Sequence, residues 1–315
     1  MSASRVATIS GPKLPPGRTV KVRAADGTRL HTEVFGPEDG YPIVLAHGIT
    51  CAIRVWHEQI NDLSRDHRVI AYDHRGHGRS GLPHRSAYSL DHLASDLDSV
   101  LAATLRPGER AVIAGHSMGG IAISSWAERH RDSVAERADA VALINTTTGD
   151  LLEEINLLRV PSMLSASRSV AARRMIRAFG GAPLFRGAQP GSRWFVAMMA
   201  VGAEADPAIA DFVHDLFATT PPAGRGAWAR VLVDEMGPRH IDLSGLTVPT
   251  LVIGSKKDRL LPMCQARKIA QAAPNLVDLV EMPGGHCAIL EHPEAVNGHL
   301  RSLVESVLAE RRISS

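Results

Sequence analysis

The sequence predicts an α/β fold: a mostly parallel central sheet flanked by helices, interrupted by a helical insertion. Three observations carry this. Between Pro42 and Ile144, short apolar runs alternate with stretches whose apolar residues recur at helical spacing, the order expected of parallel strands joined by crossover helices. From about Gly149 to His240 the alternation stops, and only helical pieces separated by Gly and Pro remain. It resumes at Leu251–Gly254.

Residues 1–18, rich in Ser, Pro and Gly, are expected to form a flexible arm. Thr19–Arg23 and Arg29–Phe35 are β-type runs around Asp26-Gly27, a hairpin signal. Pro42–Ala46 (PIVLA) ends in His47-Gly48 and suits a strand buried on both faces. Trp56, Ile60 and Leu63 share a helical face. Arg68–Tyr72 (RVIAY) is the next strand, and a polar, glycine-rich loop, Asp73–Ser80, follows it. Ser89 opens a helix whose stripe is Leu90, Leu93, Leu97, Val100 and Leu101. Ala111–Ser125 reads as strand, tight turn and helix, and Ala140–Ile144 as another strand. Past the insertion come a strand at Leu251–Gly254, a helix at Met263–Ala272, a strand at Val277–Met282 and an amphipathic helix at Glu294–Glu310. Residues 19–148 and 241–315 are thus expected to form the core, and residues 149–240 a helical cap over one edge of the sheet.

Composition narrows the function classes. With 44% hydrophobic and 22% charged residues in 315, the chain is an ordinary globular one. A formal charge of +2 gives no reason to expect a nucleic-acid partner. Thirty arginines against five lysines read as coding bias. Cys51, Cys264 and Cys287 are odd in number and widely spaced, so neither a disulfide framework nor a zinc site is indicated. The N-terminal stretch lacks the apolar run of a signal peptide, and no segment has the roughly 20 apolar residues of a membrane span. A cytoplasmic protein without a stable membrane anchor is expected; oligomeric state is left open.

Polar features fall where the apolar strands end: His47-Gly48, Asp73, Ser117, Asp258 and His286. In open α/β sheets, ligand-binding residues collect at the carboxyl ends of strands. Ser117 lies in Gly115-His116-Ser117-Met118-Gly119, where small neighbours permit a strained turn and leave the hydroxyl at the start of a helix. A serine that transfers acyl groups needs a base, and an acid that holds the base in one tautomer. His286 follows the last strand in a glycine-rich loop, and Asp258 follows Leu251–Gly254 by four residues. The chain order is Ser, Asp, His. Asp258 has a plainer reading as a helix N-cap, but the competing position after Ala140–Ile144 holds Asn145-Thr146-Thr147-Thr148, with no carboxylate until Asp150.

Together His47-Gly48, the Asp73–Ser80 loop, Gly115–Gly120, Asp258 and Gly285-His286 make the chain similar, over roughly residues 20–310, to the α/β-hydrolase superfamily, in its serine esterase, lipase and monoacylglycerol-lipase-like branch. The resemblance implies an α/β-hydrolase fold with Ser117 as nucleophile, His286 as general base and Asp258 as its orienting carboxylate. It implies an oxyanion hole made by the backbone N–H groups of Met118 and Ile49. His47, Gly48 and His116 would shape the site, with His47 bonded to the backbone of the oxyanion loop. Asp73 and Arg75 would lock the neighbouring turn. His74, His77 and His84 are read as exposed loop histidines, since no carboxylate or cysteine completes a metal set; neither metal nor cofactor is expected. Cys51 and Cys287 are expected as buried filler.

The insertion carries many apolar residues, among them Leu151, Leu152, Met198, Met199, Phe212, Phe217 and Trp228, which points to a greasy substrate group or simply to the cap's own core. Its arginines, from Arg159 to Arg193, precede an acidic block from Glu204 to Asp215, and a solvated face paired across the two is the expected arrangement. The implied partner is a small-molecule ester with an apolar, lipid-like acyl group. Carbon–carbon bond hydrolases and cofactor-free perhydrolases or haloperoxidases share the same triad, and a ligand-binding receptor on this fold is the non-enzymatic alternative. Serine at position 117 argues against the relatives that use an aspartate nucleophile.

Overall fold

The computed structural model describes residues 12–154, 173–177, 180–181 and 190–314. Eight strands form one sheet: β1 (Arg18–Arg23), β2 (Arg29–Phe35), β3 (Pro42–Ala46), β4 (Arg68–Tyr72), β5 (Ala111–His116), β6 (Ala138–Ile144), β7 (Thr250–Ser255) and β8 (Leu276–Met282). Their order is β1-β2-β4-β3-β5-β6-β7-β8. The β1–β2 and β2–β4 pairings are antiparallel and the remaining five are parallel. The first strand begins at Arg18, the last residue of the expected arm. Before it, Leu14 packs against the core, and the Lys13 carbonyl accepts a hydrogen bond from Asn61 at 3.1 Å. At the hairpin, Gly27 has φ +82, which glycine adopts without a Cβ penalty.

The apolar runs are continuous because both faces of the sheet are covered. Ile43, Leu45, Val69, Ala71, Val112, Ala114, Leu251 and Ile253 point into a core formed with Trp56, Ile60 and Leu63 on one side of the chain's winding and Val296, Leu300 and Val304 on the other. The alternate residues Val44, Ile70, Tyr72, Ile113, Val141, Leu143 and Val252 pack against Leu97, Leu101, Ile123, Trp126 and Ile269. Trp56 ends a short 3-10 turn (Ile53–Trp56); the other partners come from helices α1 (His57–Leu63), α2 (Leu90–Thr104), α3 (Met118–Arg129), α9 (Met263–Ala272) and α11 (Pro293–Ser314). Ser89 caps α2 as expected: its side chain accepts from the His92 N–H.

After β3 the chain turns one way to β4, then returns past β3 to β5 and continues outward to β8. Loops leaving β3 and β5 therefore diverge, which opens a crevice at the carboxyl end of the sheet. A short helix α4 (Arg131–Arg137) leads into β6.

The described part of the insertion is helical: α5 (Leu151–Glu154), residues 173–177, α6 (Pro190–Ala200), α7 (Pro207–Thr219) and α8 (Pro222–Glu235). The edge it covers is the carboxyl end of the sheet. Trp228 Nε1–H donates to Arg75 O at 2.9 Å, and Arg54 reaches Asp215 at 2.6 Å. The Leu90 N–H donates to Glu235 at 3.1 Å. Val213 and Leu216 join the first core, while Trp228, Val231 and Leu232 form a third cluster with Met118, Ile121 and Leu93. Of the expected pairs between the arginines and the Glu204–Asp215 block, Arg193 meets Asp211, whereas Arg177 meets Asp234, outside that block, at 2.7 Å. Arg159, Arg168 and Arg186 lie outside the described residues. Among the described residues, no helix is long and apolar enough to cross a membrane.

Candidate active site

Ser117 sits between β5 and α3 with φ 54 and ψ −118, a conformation that L-residues rarely adopt. Its surroundings over-determine it. The Ser117 N–H donates to Ile144 O at 3.0 Å, while its carbonyl accepts from Gly120 N (2.9 Å), Ile121 N (3.2 Å) and Thr146 Oγ1 (2.7 Å). A Cβ on Gly119 would overlap the Ala46 carbonyl, and one on Gly115 would lie 2.6 Å from Gly120 N, so both positions exclude a side chain. Met118 is the first residue of α3, where an N–H has no intrahelical acceptor. Ser117 itself is 8% exposed, at the positive end of that helix.

Asp258 is 5% exposed and His286 6%. His286 Nδ1–H donates to Asp258 Oδ2 at 2.8 Å. The other oxygen, Oδ1, accepts from the backbone N–H groups of Leu260 (2.9 Å) and Leu261 (2.8 Å), so the carboxylate cannot rotate without losing both bonds. Asn145 completes the shell, its Nδ2 donating to Asp258 Oδ2 and to Ser255 Oγ, each at 3.0 Å. His116 ties the serine turn to the histidine loop. Its Nε2–H donates to His286 O at 2.9 Å, and the two rings lie 4.9 Å apart. Burial, then the adjacent His286, pushes the His116 pKa down to about 3, so the ring that bonds the histidine loop is neutral.

The loop after β3 is held by three histidines. The His47 Nδ1–H donates to Gly48 O at 2.7 Å, and its Nε2 accepts from the His74 N–H at 3.1 Å. His74 Nε2–H donates to His47 O at 2.9 Å, and His77 Nε2 accepts from the Thr50 N–H at 3.1 Å. Each bond to an N–H fixes one neutral tautomer. His74 and His77 are buried, contrary to their expected exposure, because the Asp73–Ser80 loop folds under the β3 loop instead of into solvent. Burial depresses all three: His47 well below its ordinary value, with His74 and His77 adding, His74 to about 3, and His77 to about 4. Gly48 approaches the serine so closely that a Cβ there would lie 3.1 Å from Ser117 Cβ. Neither the Ile49 N–H nor the Met118 N–H has an acceptor among the described residues.

Asp73 braces this loop from below, accepting from Ile53 N and Arg79 N, both at 2.8 Å. Arg75 is fully buried and forms a two-point pair with Asp96, both bonds 2.6 Å, plus a bond to Asp26 at 2.9 Å. Cys51 and Cys287 are buried, and desolvation raises the Cys51 thiol to about 12 and Cys287 well above its usual value, so both are inert neutral thiols.

Of the residues singled out from sequence, Ser117, His116, His286, Asp258 and His47-Gly48 form one contiguous cluster at the carboxyl end of the sheet, linked by the bonds above. Two that sequence reasoning missed also belong to it. Asn145 and Thr146 bond to Asp258 and Ser117, and the sequence offered only a general signal, polar residues directly after a buried strand, that names no partner. Positive φ marks the same place. Among the described non-glycine residues it occurs at Thr50, in the loop after β3, at Ser117 and Asn145, directly after β5 and β6, and at Asp150. Chemically, the arrangement offers a hydroxyl at a helix start, an imidazole fixed by a carboxylate, and two backbone donors.

A family model described as alpha/beta hydrolase fold matches residues 41–293. RutD of Variovorax paradoxus (strain S110), a candidate carbamate hydrolase, is 30% identical over 284 residues, spanning 89% of this chain and 97% of that protein. A non-heme haloperoxidase of Rhodococcus erythropolis is 26% identical over 301 residues, 90% of this chain and 99% of its own. Among solved structures, the enol-lactonase from Burkholderia xenovorans LB400 superposes with a TM-score of 0.71 at 25% identity, covering 92% of this chain and all of the other.

Proposed function

Because this chain belongs to the α/β-hydrolase family, we propose that it is a serine hydrolase that cleaves carboxylic esters through an acyl-serine intermediate. Ser117 Oγ attacks the ester carbonyl and passes its proton to His286 Nε2. Asp258, bonded to Nδ1, holds the imidazole in the tautomer that leaves Nε2 free to accept, and then stabilises the imidazolium. The backbone N–H groups of Met118 and Ile49 receive the oxyanion; in this kind of site one such donor is worth about 3–4 kcal/mol of barrier. His286 returns the proton to the leaving alcohol, and a water activated by the same imidazole releases the acid. The observation that carries this reading is the 2.8 Å bond between His286 Nδ1 and Asp258, beside a strained serine at the start of a helix.

The acyl group is read as apolar. Ile49 and Leu151 are half-buried beside the third apolar cluster, which supports a greasy lining next to the oxyanion loop. Residues 149–240 act in this reading as the lid that selects substrate. The test is labelling by a fluorophosphonate probe with Ser117→Ala as control, followed by p-nitrophenyl esters of increasing chain length. Absence of labelling together with inactivity on every ester overturns the proposal. Activity peaking at acetate overturns only the apolar-acyl part. Carbamate substrates, and bromide with peroxide, serve as further arms, motivated by the relatives above.

A further inference from the structure

The loop that carries His286 is built around one carboxylate that the mechanism does not use. Glu291 Oε2 accepts from the Gly285 N–H at 2.8 Å, and Oε1 from the Cys287 N–H at 3.2 Å; these are the two residues that flank His286. The same Oε2 accepts from the Gly202 N–H at 3.0 Å, just past the cap helix α6. The Cys287 N–H is shared with the Ala200 carbonyl at 3.1 Å, a second bond between the histidine loop and the cap. A Cβ on Gly202 would lie 2.6 Å from Glu291 Oε2, and one on Gly284, whose φ is +86, would lie 2.7 Å from it. Glycine backbone therefore packs directly against the carboxylate, and a side chain at either position would have to displace it.

Helix capping explains only part of this placement. Glu291 lies in the single turn of helix α10 (Ala288–Glu291), and its bond to the N–H of the N-cap residue Cys287 is a capping contact. Its bonds to Gly285, in the loop before that helix, and to Gly202, in the cap, go beyond capping. Three charge-assisted bonds to backbone, two of them bracketing a single residue, fix that residue's main chain more tightly than packing alone.

We infer that Glu291 is the positioning residue for His286 and that it couples the cap segment Ala200–Gly202 to the base. The inference rests on the reading of His286 as general base. Glu291 touches neither substrate nor the reacting atoms; it sets where the imidazole stands, and a displacement of about 1 Å there is worth up to about 100-fold in rate.

The test uses the full chain with Glu291→Gln and Glu291→Ala, assayed on p-nitrophenyl butyrate and by the rate of fluorophosphonate labelling. Glutamine keeps one accepting oxygen, so the expected order of kcat is wild type, then Gln, then Ala. Alanine should lose about 10–100-fold in kcat and in labelling rate together, with KM changed by less than about 3-fold. Circular dichroism and thermal unfolding separate this from lost folded protein. Gly202→Ala perturbs the clasp from the cap side; its kcat loss should vanish in the Glu291→Ala background, and full additivity overturns the coupling to the cap. Folded Glu291 variants that label and turn over like wild type, or that change KM alone, overturn the positioning role. A wild-type protein that does not label at all overturns the serine-hydrolase reading, and this assignment with it.

Discussion

Asp258 receives the His286 Nδ1–H at 2.8 Å on the same oxygen that receives the Asn145 amide at 3.0 Å. The other oxygen is held by two backbone N–H groups. Four donors thus fix the acid, and the acid fixes the imidazole. Asp258→Asn keeps the shape but presents an amide, which favours the tautomer with its proton on Nε2, where the base must accept. The expected result is a loss of kcat of about 10³–10⁴-fold with a native circular dichroism spectrum. Near-normal turnover would place the acid elsewhere.

Asn145 has φ 43, so removal of its amide can be separated from backbone strain. Asn145→Gly removes both Nδ2 bonds without a Cβ penalty, whereas Asn145→Ala adds about 1–2 kcal/mol of left-handed strain. Both variants should lose kcat by about 10-fold, the weight of one bond to a charged acceptor. Alanine should also unfold at lower urea. Equal kcat in wild type and Asn145→Gly would assign the amide to Ser255 alone.

The strands and the strand-to-helix turn at Ser117 were legible in sequence because both depend on local pattern. Buried parallel strands are apolar on both faces, and a tight strand-to-helix turn demands Gly115 and Gly119 within two residues of Ser117. The supporting shell was not legible. Asn145 and Asp258 are 113 residues apart in sequence, and nothing in Asn-Thr-Thr-Thr says which side chain reaches which partner. The histidines of the Asp73–Ser80 loop read as exposed because polar, glycine-rich composition correlates with solvent; only the pairing of the two loops shows that His74 and His77 satisfy buried backbone groups. Residues 155–172 and 182–189 of the expected cap lie outside the described residues.

Buried neutral histidines make stability depend on pH. His74 and His116 titrate near 3 and His77 near 4 in the folded chain, with His47 also well depressed, against about 6.5 when unfolded. Below pH 6.5 the unfolded chain therefore binds protons that the folded chain does not. Stability should be fully present above 6.5 and fall as pH drops toward 4, by up to about 1.4 kcal/mol per pH unit for each histidine. Urea midpoints at pH 7, 6 and 5 measure this. His77→Gln should reduce the slope by about one proton, and an unchanged slope would remove His77 from the set.

Two glycines should respond to the same substitution with losses of very different size. A Cβ on Gly119 overlaps the Ala46 carbonyl of the adjacent strand, which cannot yield without breaking the sheet beside the active serine. Gly119→Ala should cost several kcal/mol and leave little folded protein, as overpacking against backbone does. Gly27 has φ +82 but open space around it, so Gly27→Ala should cost only about 1–2 kcal/mol and leave kcat intact. Comparable losses at the two sites would mean that the elbow relaxes more easily than its packing implies.

The cap offers a test of which part of the site selects substrate. Helix α8 is seated on the Asp73–Ser80 loop by Trp228 Nε1–H bonded to Arg75 O, and Gly224 rests so closely on Gly76 that a Cβ there would overlap the Gly76 carbonyl. Gly224→Ala must lift this helix, and with it Trp228 and Val231, away from Met118 and Ile121 in the third cluster. Ser117, Asp258 and His286 are held by other contacts and should keep their geometry. KM should therefore rise, and rise more for long-chain than for short-chain p-nitrophenyl esters, while kcat on acetate stays within about 3-fold of wild type. A fall in kcat that is the same for every ester would mean that α8 positions the catalytic groups rather than the acyl chain.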